Sequence, residues 1–509
     1  MTNVAKTSPI EAVDRRIALG LILLLSFVYA YVFPRWADPN QDSRLKMVVA
    51  IVDDGTFQID KYLGTTVDYA KVGDHYYSDK APGVAFLGVP VYWALRQLPI
   101  FDLLSERLAS SSAFQSTLRE DGAGVSTDRV RFAVAQVAIA FVVGAVPTAL
   151  LAGLMYLWLA RVQVAAWPRL VVALGYALLT PAFAYANTLY GHQLAAFLLF
   201  AAFFGLSTAR RFSLGAAALI GFLLAYTVVT EYPMALVVGV LWLYALWRFR
   251  AVGQIGRIVP LTLVALLVAA GWMAYNNAVF GGPLNLGYSY SEQWVTQHST
   301  GFVSLTLPSA AALWGITFGV FRGLFVLAPW LLLSLPGFVV WWRESRLDKA
   351  GAGRPEWLVA TTAVVLVTVF NASSVMWWGG FAIGPRYLLP ALPFLVLPIG
   401  YVLRRWGGSF PLRLGLGALL IWAWVAVWGV TLAEQAFPSD AIQNPLVDFA
   451  LPNWIAGNIA RNAGTLLGLR GPLGLAPLVA LVALGAGALG ILGQRTATER
   501  TGQAGQARV

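Results

Sequence analysis

The sequence predicts an all-α polytopic integral membrane protein, and three observations carry that class. Of 509 residues, 58% are hydrophobic and only 12% charged, against about 25% charged in an ordinary soluble domain. The mean hydropathy is +0.68. Apolar runs recur along the chain at about 17–25 residues, the length that crosses a bilayer as a helix. They are continuous, whereas the strands of a membrane barrel alternate apolar and polar residues.

The first run, Ile17 to Phe33, follows Arg15 and Arg16 and is succeeded by "VFPRWAD", which lacks a small-residue cleavage site. It reads as a retained first helix with a cytoplasmic N-terminus. Loops rich in Lys and Arg mark the cytoplasmic side: Arg210-Arg211, Arg248/Arg250/Arg257, Arg343/Arg346/Lys349/Arg354, Arg404/Arg405/Arg413 and the tail with Arg495, Arg500 and Arg508. Between them run pairs of apolar segments, 170–187 with 189–207, 213–230 with 234–247, 258–278 with 324–342, 356–372 with 387–403, and 413–431 with 472–493. The segment 84–160 resists this pairing. Either 84–98 is a short interfacial or re-entrant element, or 130–160, which contains Gly144 and Pro147, does more than cross once, or the charge rule fails at 161–169. The expectation is 11–13 spanning helices in one transmembrane domain, 1–493. Its outer loops are 34–83, 279–310 and 432–470, and 494–509 reads as a disordered cytoplasmic tail.

Cysteine is absent, which excludes disulfides and thiolate metal sites and fits a prokaryotic membrane protein. The net charge of +11 is scattered through short loops, where it orients helices, so nucleic acid is not an expected partner. No repeat of 20–50 residues is evident. Nor is there a duplicated half with broken helices of the kind many transporters carry.

The acids are unevenly spread. The first outer loop holds Asp38, Asp42, Asp53, Asp54, Asp60, Asp68, Asp74 and Asp79, eight of the 24 acids in the chain, together with Arg35, Arg44, Lys46, Lys61, Lys71 and Lys80. Within it, "QDSRLKMVVAIVDDG" spaces Leu45, Val48, Val49 and Val52 as a helix stopping at Gly55. Such a stripe suits the membrane interface. Asp42 then lies near the helix N-terminus, as an N-cap or as a catalytic or binding acid. Three other outer features stand out. "GPRYLLP" places Arg386 at the mouth of a helix, beside Tyr387; an arginine at membrane depth needs a partner, a role or a route to the interface. "LYGHQL" offers His192, a structural hydrogen-bonder or a phosphate ligand. "TEYP" offers Glu231, a helix cap near Pro233 or a partner for Arg386. No His-x-x-x-His or Asp-x-Asp pair occurs in the outer loops, and Asp53 and Asp54 diverge on a helix. No cofactor is firmly predicted: a divalent metal is possible, but no recognisable ligand set supports one.

The order of these features resembles the GT-C superfamily of membrane glycosyltransferases, in the branch of the protein O-mannosyltransferases and aminoarabinose transferases (glycosyltransferase family 39-like). "NQDSRL" is similar to the acidic motif of the first outer loop, with Asp42 and Arg44 in register and Gln41 where a further acid is usual. "SDKAPG" is similar to the lysine-proline signature that ends that loop. Asp79, Lys80 and Pro82 match there, and Ala81 replaces the first proline. "GPRY" is similar to a late motif, with Arg386 as its arginine.

The resemblance implies a GT-C-like fold with a partly helical first extracytoplasmic loop. It implies a hexosyl or pentosyl transferase that moves a sugar from a polyprenyl-phosphate donor to an acceptor hydroxyl, with inversion, on the extracytoplasmic face of a prokaryotic cytoplasmic membrane. The acceptor is a lipid, glycan or protein. Asp42 is then the expected base, with Asp79 and Asp68 as alternatives. Lys80, Arg386, His192 and Arg44 are expected at the lipid phosphate, because a phosphate leaving group needs cations in a water-poor cleft. Tyr76, Tyr77, Glu231 and Tyr387 are candidate sugar or acceptor contacts. Tyr288, Tyr290, Trp294, Trp377 and Trp378 are further stacking surfaces or members of an interfacial belt. The rival classes are a transporter or flippase of lipid-linked sugars and a polysaccharide polymerase or ligase. The first calls for charges deep in mid-helix, and the second for a late outer loop with several arginines, whereas 432–470 has only Arg461.

Overall fold

The computed structural model describes residues 11–35, 38–109, 129–301, 304–347 and 353–506. Helix dominates it, as a bilayer requires of any segment that must satisfy its own backbone groups. α1 is Ala12–Tyr31 and α2 is Pro39–Val49, which runs on through a π turn, Ala50–Asp54, to Gly55. A short antiparallel hairpin follows, β1 (Ala70–Val72) with β2 (His75–Tyr77). The bundle then continues through α3 (Gly83–Arg96), α4 (Pro99–Ala109), α5 (Arg129–Ala140), α6 (Val146–Arg161) and α7 (Ala166–Leu178). After these come α8 (Gly191–Thr208), α9 (Leu214–Thr230), α10 (Ala235–Ala251) and α11 (Ile258–Phe280). The last are α12 (Ser334–Leu347), α13 (Arg354–Ser373), α14 (Leu392–Trp406), α15 (Phe410–Leu432) and α16 (Ala476–Gln506).

Among the described residues, eight helices are long and apolar enough to cross a membrane, or nine if one bent pair counts as a span. The larger expected number, 11–13, also counted α1, whose first turn carries Asp14, Arg15 and Arg16, and the shorter apolar helices α7 and α9. The ambiguous stretch now has a shape. α3 and α4 meet at 89°, while Val130–Arg161 is one continuous 32-residue helix. Its π turn at Phe141–Ala145 lets it pass Gly144 and Pro147 without breaking. The segment expected as a disordered tail continues α16 to Gln506, with no proline to stop it; its last three residues lie outside the described ones.

α2 also departs from expectation. Its stripe does not lie in the interface. Leu45, Val48 and Val49 are buried in a second core with Ile139, Leu194 and Tyr275. The N-cap is Asp38, not Asp42: its side chain accepts from the Asn40 N–H, and Pro39 follows at the first helical position, where its missing N–H costs nothing.

The two ends of the bundle differ. Arg161, Arg248, Arg250, Arg404 and Arg405 sit in the last turns of α6, α10 and α14. There Arg248 donates to the Leu206 and Ala209 carbonyls at 2.9 and 2.7 Å, and Arg161 donates to Thr208. The start of α8, the end of α9 and the turn before α14 lie at the other end, with the 38–82 segment.

Candidate active site

At that other end is a cavity of about 380 Å³. Five separate stretches of chain supply its acidic and basic side chains. The α2 N-terminus brings Asp38, Asn40 and Arg44, the hairpin region brings Asp68 and Lys80, and the start of α8 brings Tyr190 and His192. The turn between α9 and α10 brings Glu231, and the 3-10 turn Arg386–Ala391 brings Arg386 and Tyr387. Tyr288, Trp294, Phe370 and Phe381 add apolar wall.

The two arginines are the unusual feature. Arg44 donates to its own helix at the Asn40 carbonyl, 3.2 Å away, and to the Asn40 side chain. Arg386 lies over the rings of Tyr190 and Tyr387, at 5.0 and 5.2 Å, and donates weakly to the Tyr387 hydroxyl at 3.5 Å. Neither forms an ion pair with a carboxylate among the described residues. The Nε of each is buried without a hydrogen-bond partner. A buried charge without a countercharge costs several kcal/mol, so an anion placed in this cavity would offset that cost.

The other charges are compensated. Lys80 Nζ is 3.0 Å from Asp68 and 3.1 Å from Asp79. Burial pushes its ammonium down, but the two carboxylates push it further up, so it stays charged. Burial lifts Asp68, yet Lys80 and a hydrogen bond from Trp294 outweigh it, leaving Asp68 below the usual carboxylate range. Asp79 is left above that range, chiefly by burial. His192 Nδ1 is 3.1 Å from Glu231 Oε1, and its ring stacks on Tyr190 at 5.9 Å. The carboxylate of Glu231 sits against Gly191, where a Cβ would also come within 2.7 Å of the Thr230 carbonyl. Glu231 thus holds His192, not Arg386, and does so at the N-terminus of α8, where negative charge is favoured.

Of the three acids lining the cavity, Asp38 alone has no ion pair among the described residues. Its Oδ1 accepts from the Asn40 N–H and the Tyr190 hydroxyl, both at 3.1 Å, and its Oδ2 accepts from Gln41 Nε2 at 3.0 Å. Burial raises its pKa above the usual carboxylate range, against those hydrogen bonds and the charge of Arg386.

The cavity brings together Arg44, Asp68, Lys80, His192, Glu231, Arg386 and Tyr387 of the residues expected from sequence. Asp42, Asp79, Tyr76 and Tyr77 are not part of its lining. Two residues apart on a helix is about 200° of rotation, so Asp42 and Arg44 cannot face one space. Asp42 instead acts on Lys46, four residues on, whose ammonium burial pushes down to about 8 while the Asp42 charge opposes. Asp79 supports Lys80 from behind the wall. Tyr76 packs edge-on to Tyr69 at 5.1 Å, and Tyr77 packs on Phe280 at 6.4 Å. Asp38 and Tyr190 also line the cavity without being among the expected site residues. Asp38 carried a signal, since Asp-Pro ahead of a helical stripe reads as an N-cap followed by a first-turn proline; Tyr190 carried none. No group of three or more His, Asp or Glu side chains able to hold a metal ion occurs among the described residues.

No protein-family model matches the chain, and no curated protein does. Two solved structures do resemble it: ArnT from Cupriavidus metallidurans in the apo state, and the same protein bound to undecaprenyl phosphate. The first is 16% identical, with 94% of this chain and 76% of that one covered and a TM-score of 0.45. The second is 17% identical, with 95% and 77% covered and a TM-score of 0.46.

Proposed function

We propose that the protein is a glycosyltransferase that takes its sugar from a polyprenyl-phosphate donor and gives it to an acceptor hydroxyl. The observation that carries this reading is the pair of guanidiniums, buried Arg44 and half-buried Arg386, that face one cavity without carboxylate partners. With Lys80 they suit a phosphate, and the spanning helices around them suit an isoprenoid chain. The resemblance of "SDKAPG" and "GPRY" to the GT-C motifs supports the same reading.

The chemistry divides among the residues as follows. A nucleophilic hydroxyl of the acceptor attacks the anomeric carbon, and the bond from that carbon to the phosphate oxygen breaks. Arg44, Arg386 and Lys80 stabilise the charge that collects on the departing lipid phosphate, in a site where fixed charges act strongly because water is excluded. Asp38 takes the acceptor proton. It is the cavity carboxylate without an ion pair, and burial makes it a stronger base than an exposed aspartate. Direct attack inverts the anomeric configuration. An extracytoplasmic cavity is supported by the arginine-rich helix ends at the opposite end of the bundle, since the positive-inside rule assigns such ends to the cytoplasm.

The test is to incubate the purified protein, in detergent and in vesicles, with labelled polyprenyl-phosphate sugars and candidate lipid, glycan and peptide acceptors. Sugar transfer with release of polyprenyl phosphate is the expected result. Translocation of the intact lipid-linked sugar without transfer would replace this reading with that of a flippase.

A further inference from the structure

Arg322 lies outside the cavity lining yet is almost wholly buried, at 1% exposure. It belongs to the turn between two apolar segments and packs on Phe321, 4.0 Å from the ring centre. Each of its three guanidinium nitrogens donates to a backbone carbonyl. Nε reaches Trp378 at 3.2 Å, Nη2 reaches Gly380 at 2.9 Å, and Nη1 reaches Phe321 at 3.3 Å. Two of these bonds bracket Gly379. That residue has φ +74°, and a Cβ placed on it would come within 3.0 Å of Arg386 Nε and 3.1 Å of Arg386 Cγ. The backbone at Gly379 is therefore the wall on which the Arg386 side chain rests, opposite the Tyr190 ring.

The rest of this loop is pinned as well. Phe381 accepts from the Tyr190 hydroxyl at 3.5 Å, and the Ile383 N–H donates to the Tyr185 hydroxyl at 2.9 Å. Of these contacts, only Arg322 grips the loop on both sides of Gly379. A lysine can supply a charge at this place but cannot bridge two carbonyls with one planar group.

We infer that Arg322 is a positioning residue for anion binding: by clamping Trp378 and Gly380 it sets the wall behind Arg386, and so the reach of that guanidinium toward a lipid phosphate. This rests on the donor reading above. The experiment measures binding of decaprenyl phosphate and of decaprenol, which lacks the phosphate, to the full-length protein in detergent. Wild-type protein is expected to prefer the phosphate. Arg322→Gln should weaken decaprenyl phosphate binding about tenfold, the scale of one misplaced charge-assisted contact, and leave decaprenol binding unchanged. Arg322→Lys should not rescue it, and adding Arg322→Gln to Arg386→Gln should cause no further loss. Gly379→Ala approaches the same wall from the other side, and should reduce phosphate binding selectively even where Arg322→Gln fails to fold.

Losses that add in the double variant, or phosphate binding in Gly379→Ala equal to wild type, would overturn the role of Arg322 while leaving the donor reading intact. Wild-type protein that binds both lipids equally would overturn the donor reading and this inference together.

Discussion

Replacing Asp38 by asparagine isolates the proton-accepting role from the structural one. Asparagine caps a helix as well as aspartate does. Its amide oxygen can still accept from the Asn40 N–H and the Tyr190 hydroxyl, both at 3.1 Å. What is lost is the bond from Gln41 Nε2, at 3.0 Å, which becomes donor against donor. Gln41 cannot simply turn over, because its Oε1 already accepts from the Leu189 N–H at 2.9 Å. The structural cost is therefore that of one hydrogen bond, about 1 kcal/mol, which on a chain of this size moves Tm by about 1–2 °C. Loss of a general base costs far more, about 10²- to 10⁴-fold in rate, or roughly 3–5 kcal/mol of barrier. Single-turnover transfer from a labelled polyprenyl-phosphate sugar measures the first quantity, and binding of the unglycosylated lipid phosphate checks that the site is intact. The expected result is transfer slowed by two to four orders of magnitude with lipid binding within about threefold of wild type. Transfer within about tenfold of wild type, with normal lipid binding, would refute Asp38 as the base.

Asp42→Asn, by contrast, should leave transfer within about threefold of wild type; a loss as deep as that in Asp38→Asn would return the base to Asp42. Arg386→Lys should weaken lipid-phosphate binding about 10- to 100-fold, since an ammonium cannot lie flat between two tyrosine rings and present a fork; equilibrium binding reads this, and wild-type affinity would exclude the guanidinium from the phosphate site. The pH–rate profile should fall on the acid side as Asp38 takes up its proton. Because burial raises that pKa, the fall should come at a pH above that of an ordinary aspartate, and an acid limb at or below the ordinary value would argue against Asp38. Asp68 has the opposite sign for stability. Its folded pKa is depressed, so its contribution is present above its ordinary pKa and lost as pH falls through the folded one; Asp68→Asn should flatten the acid side of a Tm–pH curve. Gly83→Ala should destabilise by about 1–3 kcal/mol, because a Cβ there would lie 2.8 Å from Thr230 Cα and 2.9 Å from its backbone nitrogen; an unchanged Tm would mean that α3 and α9 are free to separate.

Continuous apolar runs made the helices legible, and the helical stripe with its stop at Gly55 made α2 legible too. The spatial grouping of Arg44, Lys80, His192 and Arg386 was also foreseeable, since all four stand near helix ends on the side opposite the arginine-rich turns. Asp42 lies off the cavity lining because a motif fixes distance along the chain, whereas direction around the helix decides what shares a cavity. Arg44 faces the same way as Asn40, and the cap residue Asp38 lies beyond it. The stripe of α2 likewise has a burial that sequence does not show. Leu45, Val48 and Val49 found protein instead of lipid, because α5, α8 and α11 extend far enough to cover them. Tyr190 and Arg322 gave no local signal, since their roles come only from what the fold packs against them.

The wide separation of the site's parts along the chain has a consequence for biosynthesis. Asp38 and Arg386 are 348 positions apart, which at ordinary translation speeds of about 5–20 residues per second is roughly 20–70 s of synthesis. Lys80 and His192 need not wait unpaired for that time. Lys80 has Asp68 and Asp79 within its own segment, and His192 meets Glu231 after only one further helical hairpin. The guanidinium of Arg386 arrives last. A ribosome stalled before it would leave Lys80 and His192 paired but the cavity without its second guanidinium, so the ability to bind a lipid phosphate should appear abruptly, only once nearly the whole chain has been inserted.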